Sequence, residues 1–296
     1  MMSVVRVAAA ALAVAFIFIM IYVSVKKPTK DKYGPASRSL ERPAMAAQTY
    51  LNTLHGPIEL LQKQCLKLFE KGSFWLSARS DHGNSLVENV VRQIFAYHVP
   101  DDFRFSAEAG AEFWVQIRDQ TIHDSLPFHF DKDELMFSTQ GLMRNPHIAT
   151  VTYLSGDVSP PTVVFTLTPD DVDIKTDRCF KPPDRAFVSF PLLGKHLAFQ
   201  GNMYHGVLGR MRNQLSTVPR VTLLVNIWLT GRPANTKIFR DDDEASHSVI
   251  LFRPSQQEMP KFVDNTGCNE GAEAPIRDIP LHVLEDPNVS SCIVNY

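Results

Sequence analysis

Cysteine is scarce in this 296-residue chain. The four present, Cys65, Cys179, Cys268 and Cys292, stand far apart with no Cys-x-x-Cys pair, which excludes a zinc ribbon and a disulfide scaffold. Charge of one sign is also lacking: 30 Lys and Arg face 32 Asp and Glu, a formal net charge of −2. That balance excludes a strongly basic nucleic-acid binder, and no nucleic-acid partner is expected. No internal repeat is visible. What is there is ordinary globular composition, with 44% hydrophobic residues, in a length that allows one large domain or two small ones. Twenty prolines and 19 phenylalanines argue against a simple helical bundle.

The one long uncharged run is Val7–Val25. As a helix rising 1.5 Å per residue it would span roughly 28 Å, close to the hydrocarbon thickness of a bilayer. A cleaved signal peptide has a shorter apolar core and ends in a small-x-small site. This run ends in Ser-Val-Lys-Lys-Pro, so residues 1–25 are read as a tail and a single-pass transmembrane anchor in the endomembrane system. Its orientation stays open. Lys26, Lys27, Lys30 and Lys32 favour a cytosolic domain, whereas the Asn288-Val-Ser290 sequon has meaning only in the lumen. Residues 26–42 read as a linker, and the soluble domain is expected over residues 43–296.

Within it, helical spacing runs from Ala44 to about Phe69, with a break or kink at Gly56-Pro57. A second helix is expected over Ser85–Tyr97, with Asn84 as its cap. These form a helical layer over a sheet. Strands are expected at Ala111–Ile117, Phe128–Phe130, His147–Leu154, Thr162–Leu167, Ala186–Phe190, His196–Phe199, His205–Leu208 and Arg220–Leu229. Eight short strands without intervening helices indicate a double-sheet jelly roll or a barrel. The expected class is therefore α+β, with a jelly-roll core over about residues 111–232. The tail from Gly231 is polar and proline-rich, and its acidic run Asp241–Glu244 reads as a solvated loop.

Three pieces carry chemistry. In Phe128-His129-Phe130-Asp131, an imidazole and a carboxylate stand two residues apart, hence on one face of a strand. In Gly201-Asn202-Met203-Tyr204-His205, a turn delivers a second histidine to the start of a strand. Two His and one carboxylate occupy one face of an octahedral ferrous ion and leave three positions open. The third piece is Arg220-Val221-Thr222, which opens a hydrophobic strand. A buried Arg needs a partner, and a dicarboxylate ligand would supply one through a bidentate fork, with the Thr222 hydroxyl adding a donor. Gln116 and Tyr153 fall on inward faces and are pocket candidates, with ordinary packing the favoured reading; Trp114 and Trp228 are read as core. His123, His147 and His196 have no ligand spacing.

In this order the three pieces resemble the 2-oxoglutarate- and iron(II)-dependent oxygenases, whose pattern is His-x-Asp, a distal His, then Arg-x-Ser/Thr on the last core strand. The wording around them is similar to uncharacterised eukaryotic members. The resemblance implies a double-stranded β-helix, with His129, Asp131 and His205 as Fe(II) ligands and catalytic residues. It implies Arg220 and Thr222 as the 2-oxoglutarate clamp, with Arg210, Arg212 and Arg232 as the other arginines in reach. It implies O2 and 2-oxoglutarate consumed, succinate and CO2 released, and a substrate hydroxylated; the membrane anchor is consistent with a protein, lipid or glycan substrate. Two rivals stand beside it: an inactive jelly-roll module binding a glycan or peptide, and a cupin-type metal enzyme without oxoglutarate. The latter usually carries a His-x-His pair, absent here.

Overall fold

The computed structural model describes residues 47–80, 85–99, 106–118, 125–156, 160–173, 178–179, 183, 185–207, 219–240, 248–264 and 291–295. They belong to a compact unit that begins at Met45. The Val7–Val25 run, the linker, Asn84, Arg210 and Arg212 lie outside the described residues. Among the described residues no helix is long and apolar enough to cross a membrane.

Strands β1 (Ala47–Leu51) and β2 (Leu54–His55) precede helix α1 (Ile58–Leu68), and β3 (Phe74–Ser77) precedes helix α2 (Leu86–His98). Then come β4 (Gly110–Arg118), β5 (Leu126–His129), helix α3 (Glu134–Gln140), β6 (Ile148–Tyr153) and β7 (Thr162–Phe165). They are followed by β8 (Val172–Asp173), β9 (Arg178–Cys179), β10 (Arg185–Ser189), β11 (His196–Gln200), β12 (His205–Val207) and β13 (Arg220–Trp228). The chain continues through β14 (Lys237–Ile238), β15 (Leu251–Phe252), β16 (Gln256–Glu258), β17 (Lys261–Asp264) and β18 (Ser291–Asn295).

The larger sheet runs β14-β3-β4-β13-β6-β11-β1-β16 and the smaller β17-β18-β10-β7-β12-β5. Number the eight strands expected from sequence 1 to 8 in chain order. The larger sheet then holds 1-8-3-6 and the smaller 2-7-4-5, every adjacent pair antiparallel. That order is a double-stranded β-helix, a jelly roll made of two sheets facing each other.

Strand β13 shows how the sequence fixes this. All nine residues are buried. Val221, Leu223, Val225 and Ile227 face the helices, packing with Leu61 and Cys65 of α1 and with Val87, Val91 and Ile94 of α2. Burying each aliphatic side chain there stabilises by roughly 1.5–3 kcal/mol. The alternate residues Arg220, Thr222, Leu224, Asn226 and Trp228 face the space between the sheets; Leu224 packs there with Val151, Tyr153, Val164 and Phe187.

Local expectations are corrected at four places. The helix expected from Ala44 starts only at Ile58. Gly56 sits at φ +138°, and residues 47–51 pair with β11 and β16 far along the chain, contacts that override a local 3–4 spacing. Helix α2 is capped by Ser85, whose Oγ accepts from the Glu88 amide at 3.1 Å. Helix α3 interrupts the strand series: Asp133 caps it by accepting from Met136 N, and Gly141 ends it at φ +67°. The polar tail contributes β14 and β16 to the two edges of the larger sheet, β17 and β18 to one side of the smaller, and β15 to a separate pair with β2.

Candidate metal centre and its cavity

Strands β5 and β12 lie side by side, and His129 pairs directly with His205 across them. This register sets the two imidazole centroids 4.5 Å apart. Strand β5 ends at His129, so Asp131 is not on it. It follows in the turn before α3, after Phe130, which is buried and stacks near Tyr204. The carboxylate nonetheless reaches both rings. Asp131 Oδ1 lies 3.6 Å from His129 Nε2, and Oδ2 lies 3.7 Å from His205 Nε2. One ligand atom from each residue falls within 4.8 Å of the others, a spacing that can hold a metal ion.

The backbone selects which ring nitrogens face inward. His129 Nδ1 is 2.8 Å from the Pro127 carbonyl and His205 Nδ1 is 2.9 Å from the Met203 carbonyl. A carbonyl only accepts, so each Nδ1 carries a proton and Nε2 is the ring atom turned toward Asp131, free to ligate once it is unprotonated. Asp131 is held in turn: Asn226 Nδ2 donates to its Oδ2 at 3.1 Å and Asn145 Nδ2 to its backbone carbonyl at 2.6 Å.

The electrostatics favour this state. Burial alone would raise Asp131, but the charges of His205 and His129 and the hydrogen bonds from His129 and Asn226 prevail, holding it at about 2. Burial works against the charged form of His129 too, yet its hydrogen bond and attraction to Asp131 raise it above the ordinary imidazole value. At His205 burial wins and the value falls. At neutral pH the site therefore presents an ionised carboxylate beside a neutral His205.

A cavity of about 600 Å³ opens from the centre. His129 and Asp131 line it with Asn226 and with the inward residues of β4, Glu112, Trp114, Gln116 and Arg118. Burial pushes the Glu112 carboxyl up against the hydrogen bond from Ser73; the neighbouring charges of Asp131 and Asp133 push the same way, and it reaches about 7. Neither Glu112 nor Asn226 was singled out from sequence. The available signal was the period of two in Glu112-x-Trp114-x-Gln116-x-Arg118, which sets polar groups on the inward face of a core strand.

Arg220 is 2% exposed and does not itself line that cavity, though its cross-strand partner Arg118 does. Its Nη2 donates to Thr162 Oγ1 at 2.7 Å, and its guanidinium lies 5.3 Å from the Tyr153 ring centroid. Nε and Nη1 are buried without a hydrogen-bond partner, and among the described residues no carboxylate pairs with it. Burial and the charge of Arg118 lower its affinity for its proton. The Thr222 hydroxyl donates to the Gln116 carbonyl at 3.3 Å, so the hydroxyl beside Arg220 is that of Thr162. Tyr153 belongs to this group as well, its hydroxyl 2.9 Å from Thr162 Oγ1 and 3.1 Å from the Ser189 carbonyl. Arg232 is engaged elsewhere, by Thr236 at 2.7 Å. His196 faces away from the centre and pairs with His98 at 2.9 Å.

No family model and no curated protein matches the chain. Solved structures similar to it include a prolyl-4-hydroxylase of Pseudomonas putida, 14% identical, covering 63% of this chain and 89% of that one at a TM-score of 0.39. HygX of Streptomyces hygroscopicus, solved with nickel and 2-oxoglutarate bound, is 14% identical over 68% and 88%, at 0.37. The non-heme α-ketoglutarate-dependent epimerase SnoN of nogalamycin biosynthesis is 11% identical over 71% and 91%, at 0.40.

Proposed function

We propose that this protein is an iron(II)- and 2-oxoglutarate-dependent oxygenase that hydroxylates its substrate. The observation that carries the reading is the convergence of His129, Asp131 and His205 within 4.8 Å on one jelly roll. Two imidazole nitrogens, that of His129 after loss of its proton, and one ionised carboxylate are the donor set of a non-heme ferrous site with open positions. The unpaired Nε and Nη1 of Arg220 fit the second requirement. A buried guanidinium calls for an anion, and the far carboxylate of oxoglutarate supplies one with matching geometry. Thr162 and Tyr153 stand beside that guanidinium, and Thr222 lies two residues along the same strand.

Iron and oxoglutarate together would supply the oxidative chemistry, O2 reduction coupled to conversion of oxoglutarate to succinate and CO2. The chain does the rest. The Pro127 and Met203 carbonyls keep both histidines in the ligating tautomer. Asn226 holds Asp131 toward the centre. Arg220 binds and orients the co-substrate. Phe130, Tyr204 and Leu224 are buried around the site and exclude water from it.

The uncharged run Val7–Val25 supports a membrane-anchored enzyme of the endomembrane system, acting on a protein, lipid or glycan. Retention of the full-length chain in the membrane after carbonate extraction checks the anchor.

The function is tested by following CO2 release from carboxyl-labelled 2-oxoglutarate with the full-length protein. Release should require added Fe(II) and disappear in His205→Ala. Release indifferent to iron, or retained in full by His205→Ala, overturns the reading.

A further inference from the structure

The geometry points to Glu112 as the residue that selects the substrate, and to a substrate that carries an ammonium group on an apolar stem; this rests on the oxygenase reading above. Glu112 stands directly opposite Asn226 in the pairing of β4 with β13, and Asn226 holds Asp131. The carboxylate therefore faces the metal end of the cavity.

Its partners there are neutral. Trp228 Nε1 donates to Oε2 at 3.1 Å, and the Ser73 side chain donates a second hydrogen bond. A carboxylate accepts about four hydrogen bonds, so acceptor capacity is left over toward the cavity. The cations around it are already committed: Arg144 to Asp133 at 2.6 Å, Lys132 to Glu134 at 2.8 Å. Arg118 lines the same cavity six residues further along β4, roughly 20 Å away at the rise of an extended strand.

A partly desolvated carboxylate with only neutral donors is costly unless a cation completes it. The cavity offers such a cation a fitting surround, because Phe69, Trp114 and Phe130 line it. Aromatic faces attract an ammonium group and cover its methylene stem. A purely structural role for Glu112, tying Trp228 to Ser73, needs an acceptor but not a charge. Glu112→Gln keeps the acceptor and removes the charge.

The test uses the full-length protein loaded with Mn(II) in place of iron and with 2-oxoglutarate, whose binding is measured first. Pentylamine, pentanol and pentanoate are then titrated, with dissociation constants read by ligand-observed NMR. Pentylamine should bind the wild type about tenfold more tightly than either other probe, the scale of one charge-assisted hydrogen bond. In Glu112→Gln that preference should vanish. Equal binding of the three probes to the wild type, or an unchanged preference in the variant, overturns the assignment of Glu112. The wild-type comparison decides by itself where the variant fails to fold. Failure to bind Mn(II) overturns the oxygenase reading and this inference with it; Mn(II) and oxoglutarate binding without an amine preference overturns this inference alone.

Discussion

Asn226 donates to Oδ2 of Asp131 across 3.1 Å, so the central strand of the larger sheet reaches the carboxylate that stands between the two histidines of the smaller one. The bond fixes the carboxylate rotamer and leaves the other oxygen facing His129. Loss of a residue that orients a metal ligand typically costs 10- to 100-fold in metal affinity. Asn226→Ala should weaken Mn(II) binding by about that factor in a calorimetric titration, while far-UV circular dichroism stays that of the wild type. Unchanged affinity would show that the turn before α3 holds Asp131 without help.

Metal binding should also depend on pH through His129. Its pKa lies above the ordinary 6.5, so it retains a proton to higher pH than a free imidazole, and a protonated ring cannot ligate. His205 is shifted the other way and competes less. Mn(II) affinity should therefore rise with pH through and somewhat above 6.5, then level off. A profile already flat at 6.5 would mean either that His129 does not ligate or that its proton is not held above the ordinary imidazole range.

Glu112 gives a stability prediction with a definite sign. Its folded value is about 7 against an ordinary 4.5. The native state thus holds that proton more tightly than the unfolded state does. The contribution to stability is full below pH 4.5 and declines as the pH rises to 7. Glu112→Gln cannot ionise. In urea unfolding of metal-free protein, the stability of the variant relative to wild type should increase steadily from pH 4.5 to 7. A difference that stays constant over that range would show that Glu112 is not perturbed.

Much of the architecture was legible because the core strands announce themselves locally. In Arg220–Trp228 aliphatic residues alternate with a second inward set, and a double-sided burial of that kind leaves a run that no helix or loop matches. The His-x-Asp and distal His were legible as residue types, though not as a strand pair: the direct opposition of His129 and His205 depends on a register between β5 and β12 that their own sequences do not specify. Strand β1 was hidden for the same reason. Its partners, β11 and β16, lie far along the chain, while Leu51, Leu54, Ile58 and Leu61 keep helical spacing straight through Gly56. Helix α3 was hidden because its cap, Asp133, depends on Arg144 and on the amide of Ala234. Thr162, the hydrogen-bond partner of Arg220, was hidden because it joins the guanidinium from the opposite sheet.

That Asp133 cluster makes its own prediction. The carboxylate is 2% exposed and takes hydrogen bonds from Met136 N, Arg144 Nη2 and Ala234 N. The Arg144 guanidinium also lies 5.1 Å from the Trp228 ring centroid. Arg144→Ala would leave a buried carboxylate without its cation two residues from Asp131, a loss of about 3 kcal/mol. Urea unfolding should register it; a loss under about 1 kcal/mol would place Asp133 in a wetter setting than its burial indicates.

The strongest constraint falls on Arg220. A buried guanidinium with two unpaired donors, Nε and Nη1, lowers the stability of the ligand-free protein. Replacing such a charge with an apolar side chain of similar volume is often neutral or stabilising. Metal-free Arg220→Met should therefore melt at or above the wild-type temperature. Its response to ligand should be the reverse. Oxoglutarate, added to the Mn(II)-loaded proteins, should raise the melting temperature of the wild type further and leave that of the variant where Mn(II) alone sets it. Arg220→Lys keeps the charge but not the planar fork, so it should still bind oxoglutarate, with KM raised by roughly one to two orders of magnitude, the scale of one lost charged hydrogen bond. Mn(II) affinity should be the same in all three proteins, because the guanidinium touches Thr162 and Tyr153 and none of the three metal donors. A destabilised Arg220→Met that oxoglutarate still protects would mean the guanidinium has a structural partner instead, and the co-substrate carboxylate would have to be sought at another cation, with Arg118, directly opposite on β4, the first to replace.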